Sequence, residues 1–244
     1  MIVLITGATG KQGSAGVHLI QGSFEDRSSL LHALKNVDAA FLVQADSPNE
    51  VEQGLRFVEV AKEVGLPFLV YGSAEGAGAN PPALKGKLEI EEAVKASGLG
   101  YAILHPVAFF ENFRKEEGWE RWLYLGLFEA ALKGRKMQMV STTDIAHFAT
   151  KAIENPKEID GRVIPIAGDD LTIEEACKIY GKVQGGTKVS RAPRWISRIV
   201  LALLPADLRQ LLFWFGEVGY KVDLGAVRKE HEGVRSFEDW LVAE

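Results

Sequence analysis

The sequence predicts an α/β protein with a doubly wound parallel sheet and a smaller, mainly helical carboxyl-terminal lobe. Three observations support this prediction. Short apolar runs suit strands that are buried on both faces of a sheet, and helical patterns with clear start signals lie between them. A glycine-rich turn follows the first apolar run directly. Because strand and helix alternate, we place a core at residues 1–135 and the lobe that completes it at residues 136–244.

The predicted strands are the apolar runs. Met1 to Thr6 is almost wholly apolar and leads into glycine, as expected for a buried parallel strand. Similar runs predict four further strands, at residues 17–20, 39–43, 68–71 and 101–104.

The predicted helices begin at capping signals. Asp26 can cap a short helix, and Ser47 to Glu50 forms a capping box with proline at the first helical position. Residues 85–96 give a helix that ends before Gly98. In the second half, a helix runs from about Ser141 to Glu154, a capping box at Thr172 starts another, and residues 191–215 read as helical in pieces.

The composition excludes several classes of protein. Of 244 residues, 47% are apolar and 25% are charged, and the formal charge of -5 gives no general attraction to nucleic acid or to an anionic membrane. Cys177 is the single cysteine, which excludes an intramolecular disulfide and suits a reducing compartment. No signal-peptide core and no stretch long enough to span a bilayer is evident. We therefore expect a cytoplasmic protein with no nucleic-acid or membrane partner.

The glycine turn spells Thr6-Gly7-Ala8-Thr9-Gly10-Lys11-Gln12-Gly13, a GxxGxxG pattern. Gly7 permits a tight turn, Gly10 lets backbone N–H groups approach a pyrophosphate, and Gly13 allows close packing on the sheet. The position directly after an amino-terminal strand favours dinucleotide binding. The alternative is a glycine loop that serves packing only.

Six ordered stretches resemble the NmrA-like family of atypical short-chain dehydrogenases: "TGATGKQGS", "QGSFEDRSSLLHAL", "FLVYGSAEGAG", "KLEIEEAVKASGLGYAILHPVAFFENF", "VSTTDIAHFATKAIENP" and "SFEDWL". The resemblance covers nearly the whole chain. It implies a Rossmann fold, binding of NADP or NAD, and a carboxyl-terminal lobe that frames a cleft. Some members of that family are redox sensors or transcriptional co-regulators, and others reduce quinones or related carbonyl compounds.

The resemblance also implies a cofactor site, position by position. It assigns the adenine contact to Phe24, although Ser23 stands where the family usually has Asp, and it places Gln44 where the chain passes the cofactor. Lys87 corresponds to the lysine that hydrogen-bonds the nicotinamide ribose. The segment from Pro106 to Phe110, with Pro106 and Phe109 as the expected contacts, lies beside the nicotinamide. The pyrophosphate loop consists of Gly7, Thr9, Gly10, Lys11, Gln12 and Gly13.

One departure from the family is a missing segment after Gly13. Members of the family have a helix, a second strand, a basic loop and a further helix before the run that here reads Val17 to Gln21. Ser14 to Gly16 cannot supply the crossover that two parallel strands need. Either the sequence as written omits a segment, or the segment is truly deleted and the first strand pairs differently. The latter case leaves the glycine loop exposed or disordered and predicts weak cofactor binding, without preference for NADP over NAD.

The second departure concerns the general acid. Short-chain dehydrogenases place a tyrosine four residues before the active lysine, but Ala83 stands four residues before Lys87. No tyrosine of the chain has lysine four residues later. The sequence therefore names no catalytic residue and no proton donor, and a proton could come from water or substrate.

Other candidate sites are weaker. Hydrolysis by Ser73 is disfavoured because Tyr71 occupies the position where a nucleophile elbow needs glycine. The five histidines show no ligand spacing, so no metal site is expected, and His105 is assigned a structural role. A basic patch is expected to be solvated, with a partner or phosphate contact as the alternative: Lys188, Arg191, Arg194 and Arg198. Three aromatic residues either pack the lobe or line the cleft: Trp214, Phe215 and Tyr220.

Three functions remain open from the sequence. The first is a dinucleotide-binding redox sensor or regulator with a regulatory protein partner. The second is an NAD(P)H-dependent reductase of small aromatic, quinone-like or carbonyl substrates. The third is a truncated protein that binds no cofactor and acts through its surface.

Overall fold

The computed structural model describes residues 1–7, 18–45, 47–79, 84–114, 118–186 and 188–243. Its main sheet has the strand order β1-β2-β3-β4-β7, and a second sheet has the order β5-β6-β8. The strands of the main sheet are β1 (Val3–Ile5), β2 (Ala39–Leu42), β3 (Phe68–Gly72), β4 (Gly100–Pro106) and β7 (Arg162–Ile166). Those of the second sheet are β5 (Ala108–Phe109), β6 (Met137–Val140) and β8 (Asp169–Leu171). The predicted fold class is confirmed.

Strands β1 to β4 run parallel and in register. Ala39 pairs with Val3 on one side and with Phe68 on the other, and Phe68 in turn pairs with Gly100. All four residues of β2 are buried, as are the first four of β3. Continuous apolar runs in the sequence therefore predicted these central strands correctly, since strands covered on both faces need no polar alternation.

The predicted strand at residues 17–20 is wrong where the structure describes it. Residues 18–20 belong to no strand and their side chains are exposed, and Val17 lies outside the described residues. The parallel partner of β1 is instead β2, and the connection between them carries α1 (Arg27–Ala33). Within the described residues no strand pairs with the other side of β1. A Rossmann-type sheet also pairs its first strand with its fourth, so this pairing is the ordinary one, and a true deletion after Gly13 stays a prediction.

In the described residues, the connections that lead to the strands of the main sheet contain α1, α2 (Glu50–Glu63), α3 (Lys85–Ala96), α5 (Thr142–Glu154) and α6 (Pro156–Ile159). Asp26 caps α1 as predicted, because its Oδ1 accepts from the backbone N of Ser28 at 2.9 Å. The capping box predicted at Ser47 is wrong. The carbonyl of Ser47, not its side chain, accepts from the backbone N of Glu50 at 3.1 Å, so a turn precedes α2.

The remaining helices are α4 (Trp119–Leu132), α7 (Ile173–Val183), α8 (Arg194–Leu203), α9 (Ala206–Glu217), α10 (Leu224–Glu230) and α11 (Phe237–Ala243). Short 3₁₀ turns occupy Ala77–Ala79 and Phe110–Arg114. The predicted capping box of α7 is confirmed: Thr172 accepts from the backbone N of Glu175, and the Glu175 carboxylate accepts from the backbone N of Thr172. No helix in the described residues is long and apolar enough to cross a membrane.

The chain divides into two compact units that interleave along the sequence. Unit 1 comprises residues 1–78, 84–105 and 145–164, and unit 2 comprises residues 79–83, 106–144 and 165–244. The core of unit 1 packs helix residues such as Phe57 and Ile90 on strand residues such as Leu69. In the core of unit 2, Phe237 stacks on Trp240 at a centroid distance of 5.7 Å. The division predicted at residue 135 remains a prediction.

Candidate functional site

The candidate site lies at the carboxyl edge of the main sheet in unit 1. Thr6 and Gly7 follow β1, Gln44 follows β2 closely, and Ser73 follows β3. Because these strands are parallel and adjacent, their carboxyl ends meet at the same edge. Open α/β sheets bind ligands outside this edge.

The turn after β1 is fastened to β2 by a side chain. Thr6 Oγ1 donates to the carbonyl of Val43 at 2.7 Å and accepts from the backbone N of Val43 at 2.8 Å. Gly7 has φ of +68°, and a Cβ there would meet nothing closer than the Val43 carbonyl at 3.7 Å. Conformation rather than space therefore favours glycine at this position. The rest of the predicted pyrophosphate loop lies outside the described residues: Thr9, Gly10, Lys11, Gln12 and Gly13.

Gln44 presents a polar atom that lacks a hydrogen-bond partner in the described part of the chain. Its Nε2 donates to the carbonyl of Glu50 at 3.0 Å, which fixes the side chain against the start of α2. Its Oε1 is buried and accepts no hydrogen bond from any residue that the structure describes. Buried acceptors are nearly always satisfied, so this oxygen is suited to a donor such as a sugar hydroxyl.

Lys87 and Glu50 form a buried ion pair. Lys87 Nζ lies 2.6 Å from Glu50 Oε1, and each side chain is 11% exposed. Helices α2 and α3 approach closely here, because a Cβ on Gly86 would lie 2.9 Å from Val51 Cγ2. The predicted ribose-binding lysine is thus held in place by a carboxylate. An ammonium, a carboxylate and the Gln44 amide at one edge fit the hydroxyl groups of a ribose in their chemistry.

Glu50 was missed by sequence reasoning, which treated it only as part of a capping box. Its pairing with Lys87 spans 37 positions in the chain. Such a contact depends on how two helices pack on the sheet, and no local pattern encodes it. The signal that was present is an acidic residue at the first position of a helix that follows a sheet edge.

A second buried network lies at the end of β3. Glu91 Oε1 accepts from the Ser73 hydroxyl at 2.5 Å and lies 2.8 Å from His105 Nε2, and the Glu91 side chain is only 3% exposed. His105 Nδ1 lies 3.5 Å from a Glu75 carboxylate oxygen. Burial opposes the charged imidazole, but hydrogen bonds to Glu75 and Glu91 outweigh it and raise the pKa of His105 to about 9. This network joins a hydroxyl to a protonated imidazole through one carboxylate.

The pKa of Glu91 is lowered, as expected for a carboxylate that contacts a protonated imidazole. Burial raises the pKa of Glu91. Hydrogen bonds from His105 and Ser73, together with the charges of His105 and Lys95, lower it by more, so the pKa lies below the ordinary value. Glu91 is therefore ionised at neutral pH. Ser73 donates to a carboxylate whose pKa is lowered, which is a weaker base than a neutral imidazole and does not favour nucleophilic attack.

The other predicted contacts lie in different parts of the chain. Phe24 packs its ring on Phe57 in unit 1 at a centroid distance of 6.1 Å, and its carbonyl accepts from Arg56. Pro106 is buried at the end of β4, and Phe109 is half-buried in β5; both belong to unit 2. Their contacts with a cofactor remain predictions.

The lobe aromatics pack on one another. Tyr220 lies 5.5 Å from Trp214 and 5.3 Å from Phe215, measured between ring centroids, and all three belong to the core of unit 2 or pack against it. No group of three His, Cys, Asp or Glu side chains among the described residues is arranged to hold a metal ion.

A parallel sheet whose first strand leads into a glycine turn, with a lysine and polar side chains at its carboxyl edge, defines a Rossmann-like α/β protein. The model of the NmrA-like family matches residues 7–241 of the chain. The protein therefore belongs to the NmrA-like family, and the predicted resemblance is confirmed.

Two curated relatives are reductases. The chain is 26% identical over 215 residues to (4-alkanoyl-5-oxo-2,5-dihydrofuran-3-yl)methyl phosphate reductase of Streptomyces griseus, covering 75% of this chain and 74% of that one. It is 26% identical over 155 residues to the NAD(P)H azoreductase of Xenophilus azovorans, covering 63% of this chain but only 53% of the relative.

Two similar solved structures are an oxidoreductase and a transcriptional regulator. The NADPH-dependent quinone oxidoreductase of Escherichia coli, solved with NADPH, superposes with a TM-score of 0.77 at 20% identity and 99% coverage of each chain. NmrA, a negative transcriptional regulator solved with NADP, superposes with a TM-score of 0.71 at 13% identity, covering 99% of this chain and 94% of that one. At these identities the likeness shows the shared fold.

Proposed function

We propose that this NmrA-like protein binds NADP or NAD at the carboxyl edge of β1 to β3 and acts as a redox sensor or regulator. The observation that carries the proposal is the ion pair of Lys87 with Glu50 next to the unsatisfied oxygen of Gln44. These groups suit a ribose, whereas Ala83 stands where a dehydrogenase has its catalytic tyrosine. A protein with such a site can report the state of the dinucleotide without reducing a substrate.

The residues have distinct proposed roles. Gln44 accepts from a ribose hydroxyl and Lys87 donates to one, while Phe24 covers the adenine and Pro106 and Phe109 flank the nicotinamide. The backbone of the glycine loop faces the pyrophosphate through Gly7, Thr9, Gly10, Lys11, Gln12 and Gly13.

The same proposal predicts a low affinity. The family's helix after the glycine loop would align backbone N–H groups with the phosphates, and its basic loop would recognise the 2′-phosphate. Only residues 14–16 separate Gly13 from the run at 17–20. The protein should therefore hold the nicotinamide half of the cofactor better than the adenosine half.

Calorimetric titration with NADPH and NADH tests the proposal. We expect weak binding of both, within about threefold of each other, because nothing favours the 2′-phosphate. Gly10→Val should abolish binding by filling the space of the pyrophosphate. Lys87→Ala should weaken it by about 1–3 kcal/mol, the value of a charge-assisted hydrogen bond. The control is Lys85→Ala, an exposed lysine on the same helix. Equal binding by the Lys87→Ala and parent proteins would refute the assignment.

A second candidate is an NAD(P)H-dependent reductase of quinone-like or carbonyl compounds. The network of Ser73, Glu91 and His105 favours it, because reduction of a carbonyl consumes a proton and His105 is protonated at neutral pH. Bound NAD(P)H would supply the hydride. Oxidation of the nicotinamide in a panel of quinones tests this candidate, and His105→Gln should then lower kcat while leaving the affinity for NADPH unchanged.

Three related statements stay predictions. They are the regulatory protein partner, the cytoplasmic location and the alternative that the protein binds no cofactor and acts through its surface. Absence of binding in the titration would favour that last alternative.

A further inference from the structure

Unit 2 contains a cavity that the proposed dinucleotide site does not use. It has a volume of about 510 Å³ and is lined by residues of α4, α8 and α9 together with Lys133, which caps the carboxyl end of α4. Three of its lining residues are cationic: Lys133, Arg198 and Arg209. The other four are apolar: Ala130, Leu201, Ala202 and Phe213. This volume lies in the range of small-molecule sites.

The cations of this cavity are not neutralised by carboxylates. Among the residues that the structure describes, no acidic one lines it. Within the described residues, the side chains of Lys133 and Arg198 form no ion pair or hydrogen bond, and Arg209 donates only to the carbonyl of Ala202, at 3.1 Å. The protein as a whole has a formal charge of -5. A local excess of unpaired positive charge on such a protein favours an anionic ligand.

Arg209 is oriented before any ligand binds. Its Nη1 is held by the last turn of α8, while a guanidinium has five N–H donors in total. The remaining donors can therefore serve a carboxylate, sulfate or phosphate oxygen without much further ordering of the side chain. Arg198 lies one turn before Ala202 on α8 and lines the same cavity.

The apolar residues give one part of the cavity a hydrophobic lining. Leu201 is 4% exposed and belongs to the core of unit 2, whereas Phe213 is 38% exposed. An exposed phenylalanine beside buried leucine leaves apolar surface in contact with water, and covering it with an alkyl chain or ring is favourable. A small inorganic anion would leave this surface bare.

We propose that this cavity binds a monomeric anionic amphiphile, a molecule with one anionic head and an apolar body. The head lies among Lys133, Arg198 and Arg209, and the apolar body packs on Leu201 and Phe213. In this proposal Arg198, which is part of the basic patch recognised in the sequence, binds the anionic head. It does not depend on the proposed dinucleotide binding.

Calorimetry with three probes tests the chemical class. Decanoate has both the head and the tail, acetate has only the head, and decyltrimethylammonium has a tail of equal length with the opposite charge. Decanoate and decyltrimethylammonium are used below their critical micelle concentrations, and acetate forms no micelles. Decanoate should bind at least about tenfold more tightly than either of the other two. Equal binding of acetate, or of the cation, would contradict the proposal.

Substitutions test the location. The double change Arg198→Gln with Arg209→Gln should weaken decanoate binding by about tenfold or more, because two charge-assisted contacts are lost. Arg198→Lys keeps a charge at the site and should retain binding within about threefold. Arg194→Gln is the matched control, since Arg194 is an exposed arginine of the same helix that does not line the cavity. Loss of binding in this control as large as in the double variant would overturn the proposal.

A membrane surface is the competing partner for this region. Trp195, Ile199 and Leu203 form an exposed apolar stripe on α8, next to the cavity residues in sequence. Flotation with phosphatidylglycerol vesicles, and with phosphatidylcholine vesicles as control, separates the two. If the protein binds the anionic vesicles, loses this binding on Ile199→Glu and does not bind monomeric decanoate, the cavity proposal is wrong.

Discussion

Lys87 shows what can be predicted at the scale of a single residue. The resemblance identifies it as the lysine of a ribose site, and the structure buries it at the carboxyl edge of the sheet. Its partner Glu50 could not be predicted, because the pair forms only when α2 and α3 pack side by side. In the same way, a structural role was predicted for His105 from the sequence, but its contacts with Glu75 and Glu91 follow from the tertiary fold.

The buried ion pair should matter far more for stability than an exposed one on the same helix. Glu50→Ala leaves the buried ammonium of Lys87 without its carboxylate, which should lower the free energy of unfolding by about 3 kcal/mol. Glu52→Ala breaks the exposed pair of Glu52 with Arg56 and should cost less than about 1 kcal/mol. Urea denaturation measures both. Equal losses would show that the Glu50 pair is not buried as described.

His105 makes stability depend on pH. Its pKa is raised from 6.5 to about 9, so charged His105 stabilises the folded state fully below pH 6.5, and this contribution is lost as the pH rises through about 9. His105→Gln should therefore lower the free energy of unfolding by about 2 kcal/mol at about pH 6 and clearly less at about pH 10. Denaturation of both proteins at the two pH values tests this. A difference that grows with pH would contradict the assigned charge.

Gly54 of α2 lies close both to α3 and to Gln44 of the candidate site. A Cβ at Gly54 would lie 2.5 Å from Ile90 Cδ1 and 2.9 Å from Gln44 Oε1. Gly54→Ala should therefore lower the free energy of unfolding by about 1–3 kcal/mol through overpacking, despite the higher helix propensity of alanine. Gly78→Ala is the control, because nothing lies within 4 Å of its added Cβ. Thermal unfolding of the two variants is the measurement, and an unchanged Gly54→Ala protein would mean that the helices can separate at no cost.

At the scale of elements, predictions succeeded where local chemistry decides the outcome. The caps at Asp26 and Thr172 were predicted because a side-chain oxygen satisfies a backbone N–H in the next turn. The strand predicted at residues 17–20 failed because a short apolar run is ambiguous without a neighbour to pair with. At Ser47 the turn before α2 took precedence over the capping pattern.

The cap of α7 gives a prediction at this scale. Thr172→Ala removes the hydroxyl that accepts from the backbone N of Glu175 at 3.1 Å, and should lower the free energy of unfolding by about 1 kcal/mol. Thr143→Ala, an exposed threonine within α5, should change it by less than about 0.5 kcal/mol. Denaturant titration of both compares them directly. Similar effects would mean that the cap does not stabilise α7.

For the whole molecule, the family and the fold class could be predicted because six motifs occur in order along nearly the entire chain. The short connection after Gly13 was also visible, since a parallel crossover cannot fit into three residues. That β1 pairs with β2 and that residues 18–20 form no strand required the structure. Of the proposed amphiphile cavity, the sequence indicated only Arg198, as part of a basic patch. Its apolar residues come from three separate helices, so no local pattern reveals them.

The central claim is that this protein binds a nicotinamide dinucleotide at the carboxyl edge of its parallel sheet, with the adenosine half poorly held. The most direct measurement is calorimetric titration of NADPH and NADH into the parent protein and into a variant with about 30 residues of the family's missing segment inserted between Ser14 and Ala15. We expect weak, nearly equal binding by the parent protein, and tighter binding with a preference for NADPH by the insertion variant. No binding by either protein, or tight and NADPH-selective binding by the parent, would contradict the claim.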